Sequence, residues 1–136
     1  MADQRTEEWF AERMGKATGS RIADIVRKTK SGPAASRKNY LAQLICERLT
    51  GYREETFQSG AMAWGNDTEP QARTAYEFYR DAEVKEVGFI QHPRISESGA
   101  SPDGLVGNDG LVEIKCPNTA THLETLRVGR IAPDYI

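Results

Sequence analysis

The run Gly107-Asn108-Asp109-Gly110 stands between two apolar pairs, Leu105-Val106 and Leu111-Val112, and it limits the fold more tightly than any other stretch. A turn cluster flanked in this way predicts an antiparallel β-hairpin, with Leu105 and Val106 pairing against Leu111 and Val112. Side chains alternate along a strand, so the second strand, continued, places Glu113 and Lys115 on one face and Val112, Ile114 and Cys116 on the other. Asp103, at the start of the first strand, is thereby carried towards Glu113. Two carboxylates beside one ammonium are a donor set for a hard divalent cation, with a positive group near an attacked phosphorus. The plainer reading is that Ser101-Pro102-Asp103-Gly104 is only a turn and that Glu113 and Lys115 form a solvated strand face.

A chain of 136 residues is the length of one domain and can bury about two-thirds of its unfolded surface. Cys46 and Cys116 lie far apart in unrelated contexts, which excludes a zinc knuckle, an iron–sulfur cluster or a CxxC redox pair and fits a reducing cytosol. The first ten residues lack a signal-peptide pattern, and no apolar run reaches membrane-spanning length. A soluble, intracellular protein is therefore expected. The net charge of −2 argues against indiscriminate coating of nucleic acid, but its distribution is uneven. Residues 1–50 hold ten Lys+Arg against six Asp+Glu, and residues 51–136 hold eight against fourteen. Between Arg13 and Lys38 there are eight basic residues and one acid, Asp24. That segment reads either as a phosphate-binding patch or as a solvated basic surface.

Thr6 is the expected N-cap of a first helix through Trp9, Phe10 and Arg13 that Gly15 ends, with Glu7 and Glu8 in its first turn. A second short helix follows Thr18-Gly19-Ser20 and carries Ile22, Ile25 and Val26 as its apolar stripe. Residues 27–36 read as an exposed, mobile loop. Ser36 is the expected cap of the clearest helix, with Tyr40, Leu41, Leu44, Ile45, Arg48 and Leu49 at helical spacing and Gly51 as its stop. A further helical pattern over Ser59–Arg80 is interrupted by Gly65 and Pro70, predicting a kink or break near residues 66–69. Glu69 sits at that irregularity, either as an acid aimed inward or as an ordinary acid of a helix's first turn. Val84–Ile90 predicts a strand that joins the hairpin in one sheet. A last helix, capped by Thr119 or Thr121 with Glu124 completing a capping box, runs through Leu123, Leu126 and Val128 to Gly129. The tail Ala132-Pro133-Asp134-Tyr135-Ile136 reads as cut rather than finished. The elements together predict an α+β domain, a small mixed or antiparallel sheet flanked by helices.

Trp64-Gly65, Glu69, Ser101-Pro102-Asp103-Gly104, Glu113-Ile114-Lys115 and Cys116-Pro117, in that order, resemble the lambda exonuclease family of phage recombination nucleases, within the PD-(D/E)xK superfamily. The likeness runs from about Trp9 to the end of the chain, and the combination is far more specific than any one part. It implies a restriction-endonuclease-like core, one nuclease domain over residues 1–136, and Mg²⁺ dependence with Mn²⁺ as a substitute. It also implies digestion of one strand of duplex DNA from its 5′ end, commonly by a ring-shaped homotrimer. Residue by residue, Asp103 and Glu113 match metal-binding carboxylates, the carbonyl of Ile114 a metal ligand, Lys115 the catalytic lysine and Glu69 the helical glutamate near the metals. Arg13, Ser20 and Ser101 match contacts to the 5′-phosphate. Similar proteins continue past residue 136 with a further helix and strands carrying a Gln-rich motif, so the domain reads as truncated at its C-terminus.

The resulting expectation is a metal-dependent 5′-to-3′ exonuclease on double-stranded DNA ends, encoded by a phage or prophage and acting in the cytoplasm of a bacterial host, with a single-strand annealing protein as partner. Two rivals stay open: an endonuclease or nickase of the same superfamily, and a DNA-end-binding domain that keeps the fold without cleavage. A histidine-based nuclease is disfavoured, since His92 and His122 stand in no paired motif.

Overall fold

The structure is a computed structural model that describes residues 2–53 and 59–131. The chain divides into two compact units, Met1–Thr56 with Val84–Val112, and Phe57–Glu83 with Glu113–Ile136.

In the first unit, helix α1 (Glu7–Arg13) begins where expected: the Thr6 hydroxyl accepts from the Trp9 N–H at 3.2 Å, and Glu7 and Glu8 occupy the first turn. Strand β1 (Ala17–Thr18), a 3-10 turn over Gly19–Arg21 and helix α2 (Ile22–Val26) follow. The expected apolar stripe of α2 is largely solvent-facing, with Ile22 and Val26 both exposed. Residues 27–36 are more ordered than a bare loop, because β2 (Lys28–Thr29) and β3 (Gly32–Pro33) pair antiparallel. Helix α3 (Ala35–Thr50) is capped at Ala34 rather than Ser36. The Ser36 hydroxyl instead donates to the carbonyl of Asp24 at 3.1 Å, tying the first turn of α3 to α2.

The expected strand over Val84–Ile90 is two strands in different sheets: β4 (Val84–Lys85) and β5 (Ile90–Gln91). The carbonyl of Val87, between them, accepts from the side chain of Gln4 at 2.8 Å instead of from a neighbouring strand. Strands β6 (Ser98–Ala100), β7 (Gly104–Val106) and β8 (Gly110–Val112) complete the unit. One sheet has the order β1-β6-β5, with β1 parallel and β5 antiparallel to β6; the other, β4-β7-β8, is antiparallel throughout. The hairpin pairs Leu105 with Leu111 and Val106 with Gly110, so the turn is Gly107-Asn108-Asp109, one residue shorter than expected. Gly107, at φ 60°, supplies the left-handed conformation that such a turn needs. Trp9, Tyr40, Val84 and Phe89 form the buried apolar core. A side chain at Gly104 would collide with Val84, so β7 and β4 approach closely only because that position is glycine.

In the second unit, α4 (Gly60–Arg80) is a single helix of 21 residues capped by Ser59, with Gly65 and Pro70 inside it. The expected break is absent, and proline removes only the N–H that would have served the carbonyl of Asn66. Helix α5 (Thr119–Val128) is capped by Asn118, whose side chain accepts from the Thr121 N–H at 2.9 Å, and ends at Gly129. Neither Thr119 nor Thr121 is the cap, and Glu124 pairs with Arg127 rather than closing a capping box. Among the described residues no helix is long and apolar enough to cross a membrane.

Candidate functional site

Two of the residues matched to the phosphate contacts touch each other. Arg13, in the last turn of α1, donates from Nη1 to the Ser101 hydroxyl at 3.0 Å, and the indole Nε1 of Trp9 donates to the same oxygen at 3.0 Å. A serine hydroxyl that accepts twice turns its own hydrogen away from both donors, where it can be given to an anion. The guanidinium of Arg13 lies 4.0 Å over the Trp9 ring, which fixes its plane. Burial pushes the pKa of Arg13 below the ordinary arginine value; the nearby Tyr40 opposes that shift and the charge of Arg53 adds to it. An arginine remains cationic near neutrality despite such a shift.

Ser20, the third residue, lies in the 3-10 turn that follows β1. The parallel pairing of β1 with β6 matches Ala17 to Ser98 and Thr18 to Gly99. A Cβ on Gly19 would sit 3.2 Å from that of Ala100, so the two chains still run side by side there. Ser20 and Ser101 are the next residues along each. The Ser20 hydroxyl is within 3.3 Å of the Thr18 hydroxyl and is exposed.

The frame of this pocket is held by Gly15, Tyr40 and Arg48, read from the sequence only as helix residues and a helix stop, together with Glu47 and Gln43, which the sequence did not single out. Gly15, at φ 67°, makes the turn after α1. Its N–H donates to the carboxylate of Glu47 at 2.8 Å, and its carbonyl accepts from Nε of Arg48 at 2.7 Å. The other oxygen of Glu47 accepts from Gln43 at 2.9 Å, while Arg48 also pairs with Glu97. The Tyr40 hydroxyl accepts from the Thr18 N–H at 3.1 Å. Helix α3 therefore grips the turn between α1 and β1 with a buried polar face; of the residues read at helical spacing Tyr40 is buried, whereas Leu41, Ile45 and Leu49 are exposed. Gln4 clasps the Pro102 carbonyl at 2.8 Å, next to Ser101.

Asp103 lies in the first unit, immediately before Gly104, and Glu113 follows Val112; Gly104 and Val112 are paired across the hairpin. Regular strand structure ends at Val112, short of the expected continuation, yet exposure still alternates, with Glu113 and Lys115 exposed and Ile114 between them half-buried. Lys115 donates to the carboxylate of Glu113. Glu69, also in the second unit, accepts from Arg73 one helical turn later at 2.7 Å, and both side chains are nearly buried. Arg73 is a partner that sequence reading missed, although its spacing of four on one helix was the available signal. Among the described residues no three His, Cys, Asp or Glu side chains gather as a metal-holding group. Two carboxylates and a main-chain carbonyl are nonetheless the hard oxygen donors that Mg²⁺ takes, usually keeping several waters besides.

Comparison with known proteins adds three findings. The model of the YqaJ-like viral recombinase domain matches residues 8–136. Crystal structures of an alkaline exonuclease, LHK-Exo, from Laribacter hongkongensis, and of LHK-Exo in complex with dAMP, are each 55% identical to this chain with a TM-score of 0.83. Each match covers 96% of this chain and 63% of the other, so the chain spans less than two-thirds of the length of those proteins. No curated protein matches. The α+β, restriction-endonuclease-like fold expected from the sequence is the one found. With the match running from residue 8 to residue 136, this chain belongs to the YqaJ-like viral recombinase domain family, the lambda exonuclease-like group that its motifs resemble.

Proposed function

We propose that this chain is the nuclease core of a 5′-to-3′ exonuclease acting on the ends of double-stranded DNA in phage-type recombination. The observation that carries the reading is the convergence of Arg13 and Trp9 on the Ser101 hydroxyl. A half-buried cation that meets a hydroxyl instead of a carboxylate is a receptor for an anion, and a phosphate at a DNA terminus supplies one. Similarity to an alkaline exonuclease supports the same reading.

Asp103, Glu113 and the carbonyl of Ile114 are the groups that would hold Mg²⁺, or Mn²⁺ in its place. When bound, the ion supplies a Lewis acid for the phosphate oxygen and lowers the pKa of a water. Lys115 then offers an ammonium to orient the attacking water or offset charge that develops on the phosphate. Glu69, held by Arg73, supplies negative charge for further ions or their waters. The end pocket sets direction: gripping the terminal phosphate of one strand presents the bond beside it for hydrolysis.

The proposed setting is a bacterial cytoplasm, with DNA ends as substrate, a single-strand annealing protein as partner and a homotrimer as assembly. The test compares linear duplexes bearing a 5′-phosphate or a 5′-hydroxyl, and a closed circle, with and without Mg²⁺. Mg²⁺-dependent loss of the phosphorylated linear strand, with the circle intact, is expected. Cutting of the circle would indicate an endonuclease, and binding without cleavage a non-catalytic end-binding domain.

A further inference from the structure

The aromatic residues beside Arg13 carry a second guanidinium. Phe10 and Trp9 pack edge to face, with centroids 4.8 Å apart and planes at 67°. Arg13 stands over the Trp9 ring, and Arg53 stands over the Phe10 ring with Cζ 3.5 Å from its centroid. Two cations thus rest on the two rings of one aromatic pair. Like charges so placed disfavour each other, and the charge of Arg53 adds to the burial that depresses the pKa of Arg13. Among the described residues neither arginine has a carboxylate within ion-pair distance. Glu12 has a buried oxygen without a hydrogen-bond partner, but adjacent residues on a helix do not face each other, so it is not aimed at Arg13. The aromatic pair holds both guanidiniums in position.

We propose that Arg53 is the second cation of the end pocket, joining Arg13 to hold the terminal phosphate monoester of a DNA 5′ end. This rests on the end-binding reading given above and extends it to specificity. A monoester carries about −1.5 to −2 near neutral pH, whereas an internal phosphodiester carries one negative charge. One arginine serves either group. Two arginines favour the dianion, so the pocket tells an end from continuous backbone by charge as well as by shape.

The test measures affinity for short blunt duplexes with a 5′-phosphate or a 5′-hydroxyl, in EDTA so that no cleavage occurs, for the wild type, Arg53→Ala and Arg53→Met. Methionine keeps an apolar stem over Phe10 and removes the charge. Both variants should lower the ratio of 5′-phosphate to 5′-hydroxyl affinity by about tenfold, the scale of one charge-assisted contact, with affinity for the 5′-hydroxyl duplex nearly unchanged. If Arg53→Met keeps the wild-type ratio while Arg53→Ala loses it, packing rather than charge is responsible and the proposal fails. If both duplexes weaken equally and the salt dependence falls by about one for each, Arg53 contacts internal backbone and the proposal fails. A wild type with no preference for the phosphorylated end overturns the end-binding reading itself, and is told apart because it needs no Arg53 variant to be seen.

Discussion

Ser101→Ala tests the pocket without using DNA. The substitution deletes the oxygen that accepts from both Trp9 and Arg13 and changes little volume. Trp9 is only 9% exposed, so its indole N–H is left without a partner, and a buried donor left in that state costs about 1–3 kcal/mol. Arg13 is less enclosed and recovers part of its loss from water, so the total expected is about 2 kcal/mol. For a chain of this length that corresponds to a fall in Tm of roughly 6 °C. Urea unfolding followed by far-UV circular dichroism reads the change as a lower midpoint at constant slope. The partner variant is Trp9→Phe, which removes the donor and keeps an aromatic ring. In the Trp9→Phe background the cost of Ser101→Ala should shrink by about 1 kcal/mol, because the orphaned donor no longer exists. Additivity of the two substitutions to within about 0.5 kcal/mol would refute the contact as an energetic link.

Asp103→Asn or Glu113→Gln should abolish Mg²⁺-dependent cleavage with fold and most duplex binding intact; cleavage near the wild-type rate in either would remove these residues from the metal set. Lys115→Ala should lower turnover by orders of magnitude with DNA affinity little changed, since its contact strengthens in the transition state; an equal loss in both would make it a plain phosphate contact. Arg13→Ala should erase the preference for 5′-phosphorylated ends while sparing the metal ligands, and a surviving preference in a cleavage assay would sink the pocket but not the nuclease.

What could be read from the sequence was local. The hairpin, the cap at Thr6, and the glycine stops at 51 and 129 follow from rules that span a few residues, and the structure has them. Errors arose where a distant group competed for the backbone. Val84–Ile90 reads as one strand, but Gln4 takes the Val87 carbonyl and the run divides between two sheets. Ser36 is a good capping residue by type, yet its hydroxyl serves Asp24. In the pocket, Arg13 and Ser101 came from motif matching alone. The contact between them, the second donor from Trp9 and the stacked Arg53 join residues distant in sequence, where no periodicity leaves a trace.

Helix α3 carries the sharper lesson. Its apolar residues Leu41, Ile45 and Leu49 recur every four positions and draw the eye as a core stripe, but all three are exposed. The buried positions are Tyr40, which belongs to the helical pattern read from the sequence, and Glu47, which does not, with Gln43 between them on the same face. Spacings of three and four put these three polar-tipped side chains in line as surely as the leucines. A polar stripe at helical period is what packing against a bent main chain demands, because a turn buries N–H and C=O groups that only such side chains can satisfy. The turn at Gly15 is that main chain. It follows α1 directly, so the aim of Arg13 depends on Glu47 and Arg48 as well as on its own helix. Gln43 and Glu47, polar groups at helical spacing from Tyr40, are the trace that the pocket's frame leaves in the sequence.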